Sequence, residues 1–548
     1  MPRITNLLAL IVLDGWGIAP ASTGNSITQA DTPNMEKLWV AYPHTLLYAS
    51  GEAVGLPRGE PGNTETGHLN LGAGRIIYQD LPRINLSIAD HSFFQNEAFL
   101  DAVNHAKKNN SNLHLMGLVG SGGVHSDIEH LFALIYLAKE QNFDRVFIHI
   151  FTDGRDSPPS SAMNFIGQVE EIIKKQGLGK IASVMGRYWA MDRDFRWERT
   201  ARAYFALTQA DQMHKFKSVQ EVIESSYKAG KTDEFIEPSL IVGEEGKPLG
   251  LISDNDAVIF FNFRIDRPRQ LTKAFVLDDF ERQAHKEWGF DPYTVKYYKK
   301  HSIEIPERPI FNRGKKLSNL FFVTMTQYDK LIATRVAFPP EIVELPLSRI
   351  LSERGIRQLK VTESEKERFV GFYFNGQREQ VFAGEDRLII ASPNVSTYDL
   401  KPEMSSKELT NALLTDLRMN PNTYGFVLVN FANSDMVGHT GDLQATINAC
   451  SSVDSCLGQI VNFIDTLGGI VIITGDHGNA EEMINLISGE KNTEHSTNPV
   501  PFIIAGQQFL GQTKTLSAGI LSDVAPTILA ILGIEKPTTM TGRNLLEG

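Results

Sequence analysis

Short apolar runs rich in β-branched residues alternate along the chain with longer segments of helical pattern. This alternation is typical of proteins with parallel sheets, and it predicts an α/β fold. In the first and last parts of the chain the predicted strands are LLALIVL, GFVLVNF, GIVIIT and VPFIIA. In the middle part they are NLHLMGLV, RVFIHIF, IASVM and AVIFFNF.

Chain length and local composition indicate at least two domains. A chain of 548 residues is too long to fold around one hydrophobic core. Residues 201–250 are more polar and more helical in pattern than the segments around them. Residues 293–318 are dense in Lys, Arg and Pro, which suits a crossing between domains. The sequence contains neither an internal repeat nor a low-complexity tract.

The charge of the chain narrows its possible partners. Its content of hydrophobic residues (42%) and charged residues (22%) is ordinary for a globular protein. The net charge of -12 argues against nucleic acid or an anionic membrane as the main partner, because both select basic surfaces. Small anions stay possible, since a local cluster of Arg binds phosphate within an acidic protein.

The cysteine count and the N-terminal segment favour a cytoplasmic protein. Only Cys450 and Cys456 are present, whereas a long secreted chain usually carries more. The apolar run from Leu7 to Leu13 is followed by an Asp-Gly turn and not by a small-residue cleavage site, so it predicts a buried first strand. No apolar stretch is long enough to span a bilayer.

Acidic residues and histidines flank the predicted strands of the first and last parts. They are Asp14, Asp435, His439, Asp476, His477 and His495. Ligands of open α/β sheets collect beyond the carboxyl ends of the strands, so we expect these side chains at one edge of a sheet. Mixed oxygen and nitrogen donors suit Mn²⁺, Zn²⁺ or a related divalent ion better than Ca²⁺.

Taken singly, several of these residues have ordinary structural explanations. Asp14 fits an Asp-Gly turn, and Asp435 with His439 fits a surface pair at i,i+4 spacing on a helix. His495 fits a turn cap. Asp476 followed by His477 is the stronger signal, because two polar groups at the end of a buried strand are costly unless something binds them. The joint pattern favours a metal site.

Thr64 is the candidate nucleophile. It lies in PGNTETGHLNLGAGR, in a Gly-rich turn before a predicted helix. A hydroxyl at this position faces the positive end of the helix, which favours an incoming phosphate, and a neighbouring metal would help to remove its proton. The alternative makes Thr64 a helix N-cap, with Glu65 and His68 in the first turns. Beside a metal ligand set, the nucleophile is the better interpretation.

The predicted strands of the middle part are followed by polar motifs rich in arginine. The residues concerned are His125, Arg155, Asp156, Arg187, Arg193, Arg264 and Arg267. Arg binds carboxylate and phosphate through two parallel hydrogen bonds, so five of them at one sheet edge indicate a small, multiply anionic substrate. A single Arg is more often a surface ion pair. His125 and Asp156 are candidates for proton transfer or for holding substrate hydroxyls.

Long motifs spanning nearly the whole chain resemble those of the cofactor-independent phosphoglycerate mutases, and they occur in the same order. They are LDGWG, GNTETGHLNLGAGR, GGVHSDIEHL, TDGRDSPP, GRYWAMDRD, NFRIDRPRQL, EKERFVGFYFNG, SPNVSTYDLKPEMS, NSDMVGHTGD, TGDHGNAEEM and TEHSTNPVPF. The resemblance implies an alkaline-phosphatase-like three-layer domain, split in sequence into residues 1–77 and 313–548, with a second α/β phosphotransferase domain inserted at 78–312. It also implies interconversion of 3-phosphoglycerate and 2-phosphoglycerate through a phosphoenzyme.

The resemblance also assigns roles by position. Asp435, His439 and His495 match the ligands of one metal ion, and Asp14, Thr64, Asp476 and His477 match those of a second. Mn²⁺ is the expected ion, with Mg²⁺, Zn²⁺ or Co²⁺ as alternatives. The substrate positions are matched by His125, Arg155, Asp156, Arg187, Arg193, Arg264, Arg267 and Lys366. The expected catalytic residues are Thr64, His125, Asp156 and Lys366, the last offsetting charge on the phosphoryl group.

Two features depart from the family pattern, and two other functions stay open. The family has Ser where this chain has Thr64, whose extra methyl stiffens the side chain, and a small residue where this chain has Glu494. The alternatives are a phosphatase or phosphomutase acting on another small ester, and a non-catalytic binding protein. The arginine motifs favour the mutase, which we expect to be a monomer with no nucleic-acid or membrane partner.

Overall fold

The computed structural model describes residues 5–210, 213–285, 309–512 and 516–547. Part of the predicted crossing, residues 293–308, lies outside the described residues. The chain divides into two compact units, which are described separately below. One, the split unit, contains Met1–Gln79 and Glu341–Gly548, and the other, the inserted unit, contains Asp80–Pro340.

Strands and helices alternate in both units, which confirms the predicted α/β class. The described strands are β1 Leu8–Leu13, β2 His44–Tyr48, β3 Leu113–Val119, β4 Val146–Thr152, β5 Lys180–Gly186, β6 His214–Phe216, β7 Ser239–Ile241, β8 Ala257–Phe260, β9 Phe321–Thr326, β10 Arg335–Phe338, β11 Gln358–Glu363, β12 Glu385–Ile390, β13 Phe426–Phe431, β14 Ile470–Gly475, β15 Val500–Ala505 and β16 Gly519–Ile520. All eight strands named from the sequence are present.

The described α-helices vary from one turn to six turns. They are α1 Ser26–Gln29, α2 Pro33–Ala41, α3 Thr64–Ala73, α4 Asp80–Ala89, α5 Glu97–Asn109, α6 Ile128–Glu140, α7 Ala162–Gln176, α8 Arg187–Ala190, α9 Trp197–Thr208, α10 Val219–Lys228, α11 Arg269–Val276, α12 Phe280–Gln283, α13 Leu347–Glu353, α14 Ser406–Met419, α15 Asn433–Gly438, α16 Leu443–Thr466 and α17 Val524–Ile531. Among them, none combines the length and the apolar character needed to cross a membrane.

The sheet of the split unit has the strand order β12-β11-β13-β1-β14-β15-β2-β16. Its strand β1 pairs in parallel with β13 on one side and with β14 on the other. Side chains of β1 alternate between two cores: Leu8, Leu10 and Val12 pack on one face, and Ala9, Ile11 and Leu13 pack on the other. Burial on both faces explains why this strand is apolar throughout and shows no polar alternation.

The sheet of the inserted unit has the strand order β10-β9-β8-β3-β4-β5-β7-β6. Its centre is parallel, and β7 pairs antiparallel with β5. The unit ends at Pro340 and not at the expected residue 312, because β9 pairs with β8 and β10 pairs with β9. The motifs rich in arginine belong to this unit with either boundary.

A buried chain of polar groups crosses the centre of the inserted sheet. The carboxylate of Asp256 lies 3.1 Å from Nε2 of His114, and Nδ1 of His114 lies 2.9 Å from Nε2 of His149. Nδ1 of His149 lies 2.8 Å from the hydroxyl of Ser183. Burial lowers the pKa of His149 well below its usual value, and the neighbouring His114 lowers it further. The folded unit therefore keeps His149 neutral.

This burial predicts a loss of stability in mild acid. Below about pH 6.5 the unfolded chain binds a proton at residue 149 that the folded unit does not bind, so the free energy of unfolding falls as pH falls. Between pH 6.5 and 5.5 the wild type is expected to lose about 1 kcal/mol more than His149→Gln. Hydrogen exchange of the β3–β5 amides measures this difference. An equal loss of stability in the wild type and in His149→Gln would contradict the prediction.

Candidate functional site

The carboxyl ends of neighbouring strands deliver the predicted metal ligands of the split unit. Asp14 directly follows β1, and Asp476 directly follows β14. Asp435 lies in the short helix α15 that follows β13. The structure therefore brings together side chains from chain segments that are far apart in sequence. All three carboxylates are buried.

Thr64 is the first residue of helix α3, and Asn63 is its cap. The side chain of Asn63 accepts a hydrogen bond from the N–H of Thr66 at 2.9 Å, so the alternative of Thr64 as the N-cap is wrong. The hydroxyl of Thr64 is thereby free for other contacts. Its Oγ1 lies 3.0 Å from Nε2 of His477 and 3.4 Å from Oδ1 of Asp14.

Lys366 supplies a positive charge at the centre of this group. Its ammonium nitrogen lies 2.7 Å from Oδ1 of Asp14, 2.6 Å from Oδ2 of Asp435 and 3.0 Å from Oγ1 of Thr64. Burial alone would lower the pKa of this lysine, but Asp14 and Asp435 raise it. Lys366 is therefore charged, and it directly contacts the predicted nucleophile.

Backbone carbonyl groups orient the imidazole rings of His439 and His495, and in each ring Nε2 is the nitrogen that could bind a metal. Nδ1 of His439 lies 2.8 Å from the carbonyl oxygen of Thr493, and Nδ1 of His495 lies 2.8 Å from that of Gly62. A carbonyl accepts only, so each Nδ1 carries a proton, and in the neutral form of each ring Nε2 presents a lone pair. The two Nε2 atoms are 3.1 Å apart, and each lies 3.2 Å from Oδ1 of Asp435. A cation fits this convergence of lone pairs.

A second group of donors lies deeper in the unit. The ligand atoms of Asp14, Asp476 and His477 all lie within 4.8 Å of one another, and those of Asp435, His477 and His495 satisfy the same limit. His477 is thus within reach of both predicted metal positions. Oδ2 of Asp476 is buried, and the described part of the chain gives it no hydrogen bond of good geometry, because the nearby Nδ1 of His68, at 3.2 Å, bonds to the carbonyl oxygen of Thr64. Because a buried carboxylate oxygen without a donor is costly, this atom also fits a metal ligand.

The local electrostatics favour bound cations. Burial would raise the pKa of Asp476, but His477 and His68 hold it at about 2. Burial would lower the pKa of His477, but the carboxylates of Asp476, Asp14 and Asp435 raise it to about 10. The carboxylates therefore create a strongly negative potential at this position, and oxygen and nitrogen donors together suit a divalent transition ion.

His68 contacts the carboxylate of Asp476, and Asn430 contacts that of Asp14. Neither residue was predicted as a site residue. Nδ1 of His68 lies 3.2 Å from Oδ2 of Asp476 and 3.0 Å from the carbonyl oxygen of Thr64. The amide nitrogen of Asn430 lies 2.8 Å from Oδ2 of Asp14 and 3.2 Å from Nε2 of His68. A polar residue inside the apolar run VLVNF was the available signal for Asn430.

The inserted unit gathers most of the predicted substrate residues around two buried carboxylates that the sequence did not single out. The first is Asp153, whose Oδ1 lies 2.6 Å from Nη1 of the buried Arg187. The same Nη1 lies 2.5 Å from Oδ2 of Asp156. A shallow depression is lined by the two carboxylates and by neighbouring residues from the end of β3 and the segment after it, namely Leu118, Gly120, Gly122, Gly123, Val124, Ser126, Asp153 and Asp156.

The second carboxylate, Asp266, contacts three of the predicted residues. Its oxygens lie 2.7 Å from Nη1 of Arg193, 3.2 Å from Nε of Arg264 and 3.5 Å from Nδ1 of His125. Burial lowers the pKa of His125 to about 3, because the opposing effect of Asp266 is offset by nearby arginines. His125 is therefore neutral at physiological pH.

Arg267 and Arg155 complete the predicted set in different environments. Nη1 of Arg267 lies 3.1 Å from the carbonyl oxygen of Met191. Burial, with Arg187 and Arg193 nearby, lowers its pKa to about 10, so the cluster has an excess of positive charge that an anion would relieve. Arg155 is 57% exposed and lies 3.6 Å from Glu234. The structure thus places Arg155 at the surface of the unit.

Comparison with known proteins yields consistent matches. The sequence model of the family described as "BPG-independent PGAM N-terminus" matches residues 84–330. The chain is 49% identical over 539 residues to a 2,3-bisphosphoglycerate-independent phosphoglycerate mutase of Moorella thermoacetica, covering 98% of each chain. It is 46% identical over 546 residues to such a mutase of Methanosarcina acetivorans, covering 100% of this chain and 98% of the relative.

A solved structure is also similar. It is a phosphoglycerate mutase of Leishmania mexicana at low cobalt concentration, 29% identical, with a TM-score of 0.54. The match covers 99% of this chain and 98% of that chain.

The converging donors predict that one carboxylate controls metal binding. Asp435→Asn should weaken Mn²⁺ binding by about 100-fold or more, because Asp435 faces both imidazoles and Lys366. Calorimetric titration of chelator-treated protein measures the affinity. Glu408→Gln changes an exposed carboxylate of α14 and should bind Mn²⁺ like the wild type. Equal affinity in Asp435→Asn and the wild type would contradict the assigned site.

Proposed function

Because the chain belongs to the family of 2,3-bisphosphoglycerate-independent phosphoglycerate mutases, we propose that it interconverts 3-phosphoglycerate and 2-phosphoglycerate through a phosphoenzyme on Thr64. The enzyme is an isomerase that moves a phosphoryl group within one small substrate. The observation that supports Thr64 as the carrier is the position of its Oγ1, which lies 3.0 Å from Nζ of Lys366 and 3.0 Å from Nε2 of His477.

Two divalent cations are part of this proposal, with Mn²⁺ as the first candidate. Asp435, His439 and His495 would hold one ion, and Asp14, Thr64, Asp476 and His477 would hold the other. Bound cations would supply Lewis-acid stabilisation to the phosphoryl oxygens and lower the pKa of the Thr64 hydroxyl. The fixed Nδ1–H tautomers of His439 and His495 support this assignment, because both Nε2 atoms are left with free lone pairs.

Thr64 and Lys366 carry the proposed covalent step. The Thr64 hydroxyl loses its proton, Oγ1 forms a bond to phosphorus, and the bond from phosphorus to the glycerate oxygen breaks. That glycerate oxygen takes up a proton. The ammonium of Lys366 favours the deprotonated Oγ1 and then offsets the negative charge of the transferred group. In the second half, the other hydroxyl of glycerate loses its proton, its oxygen forms a bond to phosphorus, and the bond from phosphorus to Oγ1 of Thr64 breaks, after which Oγ1 takes up a proton.

The inserted unit is proposed to hold the substrate anion. The guanidinium groups of Arg187, Arg193, Arg264 and Arg267 suit its carboxylate and phosphate, and the proposal includes the more exposed Arg155. His125 is neutral, so it offers the substrate a hydrogen bond without adding charge. Arg187 favours the charged form of Asp156 and lowers its pKa, although burial opposes this. The carboxylate of Asp156 can therefore accept a proton from a glycerate hydroxyl.

The proposal also includes a monomer that acts in the cytoplasm, which is a reducing compartment. The two cysteines, Cys450 and Cys456, support this location because both are free and buried. The net charge of -12 supports a small-molecule substrate over nucleic acid.

Removal of the Thr64 hydroxyl should abolish mutase activity. In an enolase-coupled assay on 3-phosphoglycerate without bisphosphoglycerate, Thr64→Ala is expected to lose at least about 1,000-fold in kcat. Thr64→Ser keeps a hydroxyl and should stay active. Mass spectrometry of acid-quenched protein should find phosphate on the Thr64 peptide of the wild type. Full activity in Thr64→Ala would eliminate the covalent route, and release of free phosphate in place of 2-phosphoglycerate would favour the phosphatase alternative.

Loss of the partly buried guanidinium of Arg267 should weaken substrate binding. Arg267→Gln removes a charge from the cluster, so KM for 3-phosphoglycerate should rise by about 10-fold to 100-fold. Arg282→Gln is the matched control, because Arg282 is 86% exposed and lies outside the cluster. An unchanged KM in Arg267→Gln would remove this residue from the substrate set.

A further inference from the structure

Glu481 is a buried carboxylate that the proposed mechanism does not use. Its side chain is 2% exposed. Its Oε2 accepts the backbone N–H groups of Gly17 at 3.0 Å and Asn479 at 2.9 Å. Its Oε1 accepts the hydroxyl of Ser496 and, at 3.0 Å, the side-chain amide of Asn498. Four donors therefore converge on one carboxylate.

These donors come from three loops, and each loop carries predicted metal ligands. Gly17 belongs to the loop that begins with Asp14, Asn479 to the loop that begins with Asp476 and His477, and Ser496 directly follows His495. We call them the first, second and third ligand loops. Backbone hydrogen bonds join the same loops, from the N–H of Ala480 to the carbonyl of Gly15 at 3.0 Å and from the N–H of Ser496 to that of Gly478 at 3.0 Å.

Two glycines, Gly17 and Gly478, lie against this carboxylate. A Cβ atom at Gly17 would lie 2.2 Å from Cδ of Glu481, and a Cβ atom at Gly478 would lie 2.4 Å from its Oε1. At this distance a side chain at either position would displace the carboxylate of Glu481, and at Gly478 it would also displace the hydroxyl of Ser496. Glycine at these two positions therefore lets the carboxylate reach its four donors.

We propose that Glu481 is a positioning residue that holds the three ligand loops together and thereby sets the metal affinity of the site. A carboxylate can accept two hydrogen bonds at each oxygen, and bonds to a charged acceptor are stronger than neutral ones. A neutral amide offers only one accepting oxygen. Groups that orient metal ligands from the second layer commonly change metal affinity by about 10-fold to 100-fold.

The inference rests on the metal site of the proposed function, and one variant tests that premise by itself. Asp435→Asn changes a proposed ligand, whereas Glu481→Gln changes only the group that joins the loops. If Asp435→Asn binds Mn²⁺ like the wild type, the proposed metal site is wrong. If Asp435→Asn binds weakly but Glu481→Gln binds like the wild type, the role of Glu481 is wrong and the metal site stands.

Mn²⁺ titration calorimetry of the full, chelator-treated chain measures the effect. Each variant is titrated at a temperature where circular dichroism shows it fully folded, so that a change of stability alone leaves the Kd unchanged. Glu481→Gln is expected to raise the Kd for Mn²⁺ by about 10-fold to 100-fold. Glu490→Gln is its control, because Glu490 is an exposed carboxylate farther along the same segment and should stay within about two-fold of the wild type.

A milder pair keeps the test decisive if Glu481→Gln does not fold. Ser496→Ala removes one of the four donors, and the Kd for Mn²⁺ should rise several-fold. Thr497→Ala truncates the adjacent exposed residue and should bind like the wild type. A lower Tm in Ser496→Ala with an unchanged Kd would show a purely structural role and overturn the proposal.

A double-mutant cycle tests the contact itself. Gly17→Ala should weaken Mn²⁺ binding in the wild type, because the new methyl group displaces the carboxylate. In Glu481→Ala that space is empty, so Gly17→Ala should add little further loss. Strong non-additivity of the two changes supports direct coupling. Simple additivity would contradict it.

Discussion

Every part of the split unit's site depends on the neutralisation of three buried carboxylates. Asp14, Asp435 and Asp476 are buried at the ends of parallel strands or just beyond them. Removing such charges from water costs several kcal/mol each unless opposite charge and hydrogen bonds replace the water. Lys366 supplies one positive charge from the segment after β11. The imidazoles and the proposed divalent ions would account for the rest, and this same positive charge would favour the deprotonated hydroxyl of Thr64 in the proposed mechanism.

The sequence predicted those features that are encoded locally. Continuous apolar runs located the central strands, and the predicted metal ligands that the structure brings together flank those strands in the sequence. Strand β11 was not predicted, because its polar residues interrupt the apolar pattern of a buried strand. One of them, Lys360, is fully buried, and its ammonium lies 3.3 Å from the carboxylate of Glu385. That partner belongs to the neighbouring strand, so periodicity within one segment cannot reveal it.

The second layer of the site was beyond sequence reasoning for the same reason. Asn430, Asp153 and Asp266 contact residues from other segments, namely Asp14, Arg187 and Arg193, and although the polar Asn430 stood out in its apolar run, no spacing rule identifies such partners. The role of Thr64 was also ambiguous from spacing, because Asn63 and Thr64 are both residue types that cap helices. The hydrogen bond from Thr66 to Asn63 resolves it. Residues that hold other residues in place are therefore the part of a site that requires a structure.

The position of β1 has a consequence for the order of events during synthesis. This strand lies between β13 and β14, and its Leu8 pairs with Phe426 on one side and with Ile470 on the other. When the ribosome has completed the inserted unit, β1 still lacks both neighbours. An apolar strand made before the inserted unit must therefore wait until β13 and β14 have emerged after that unit. During that interval it exposes unpaired edges, which are sites of aggregation that molecular chaperones recognise.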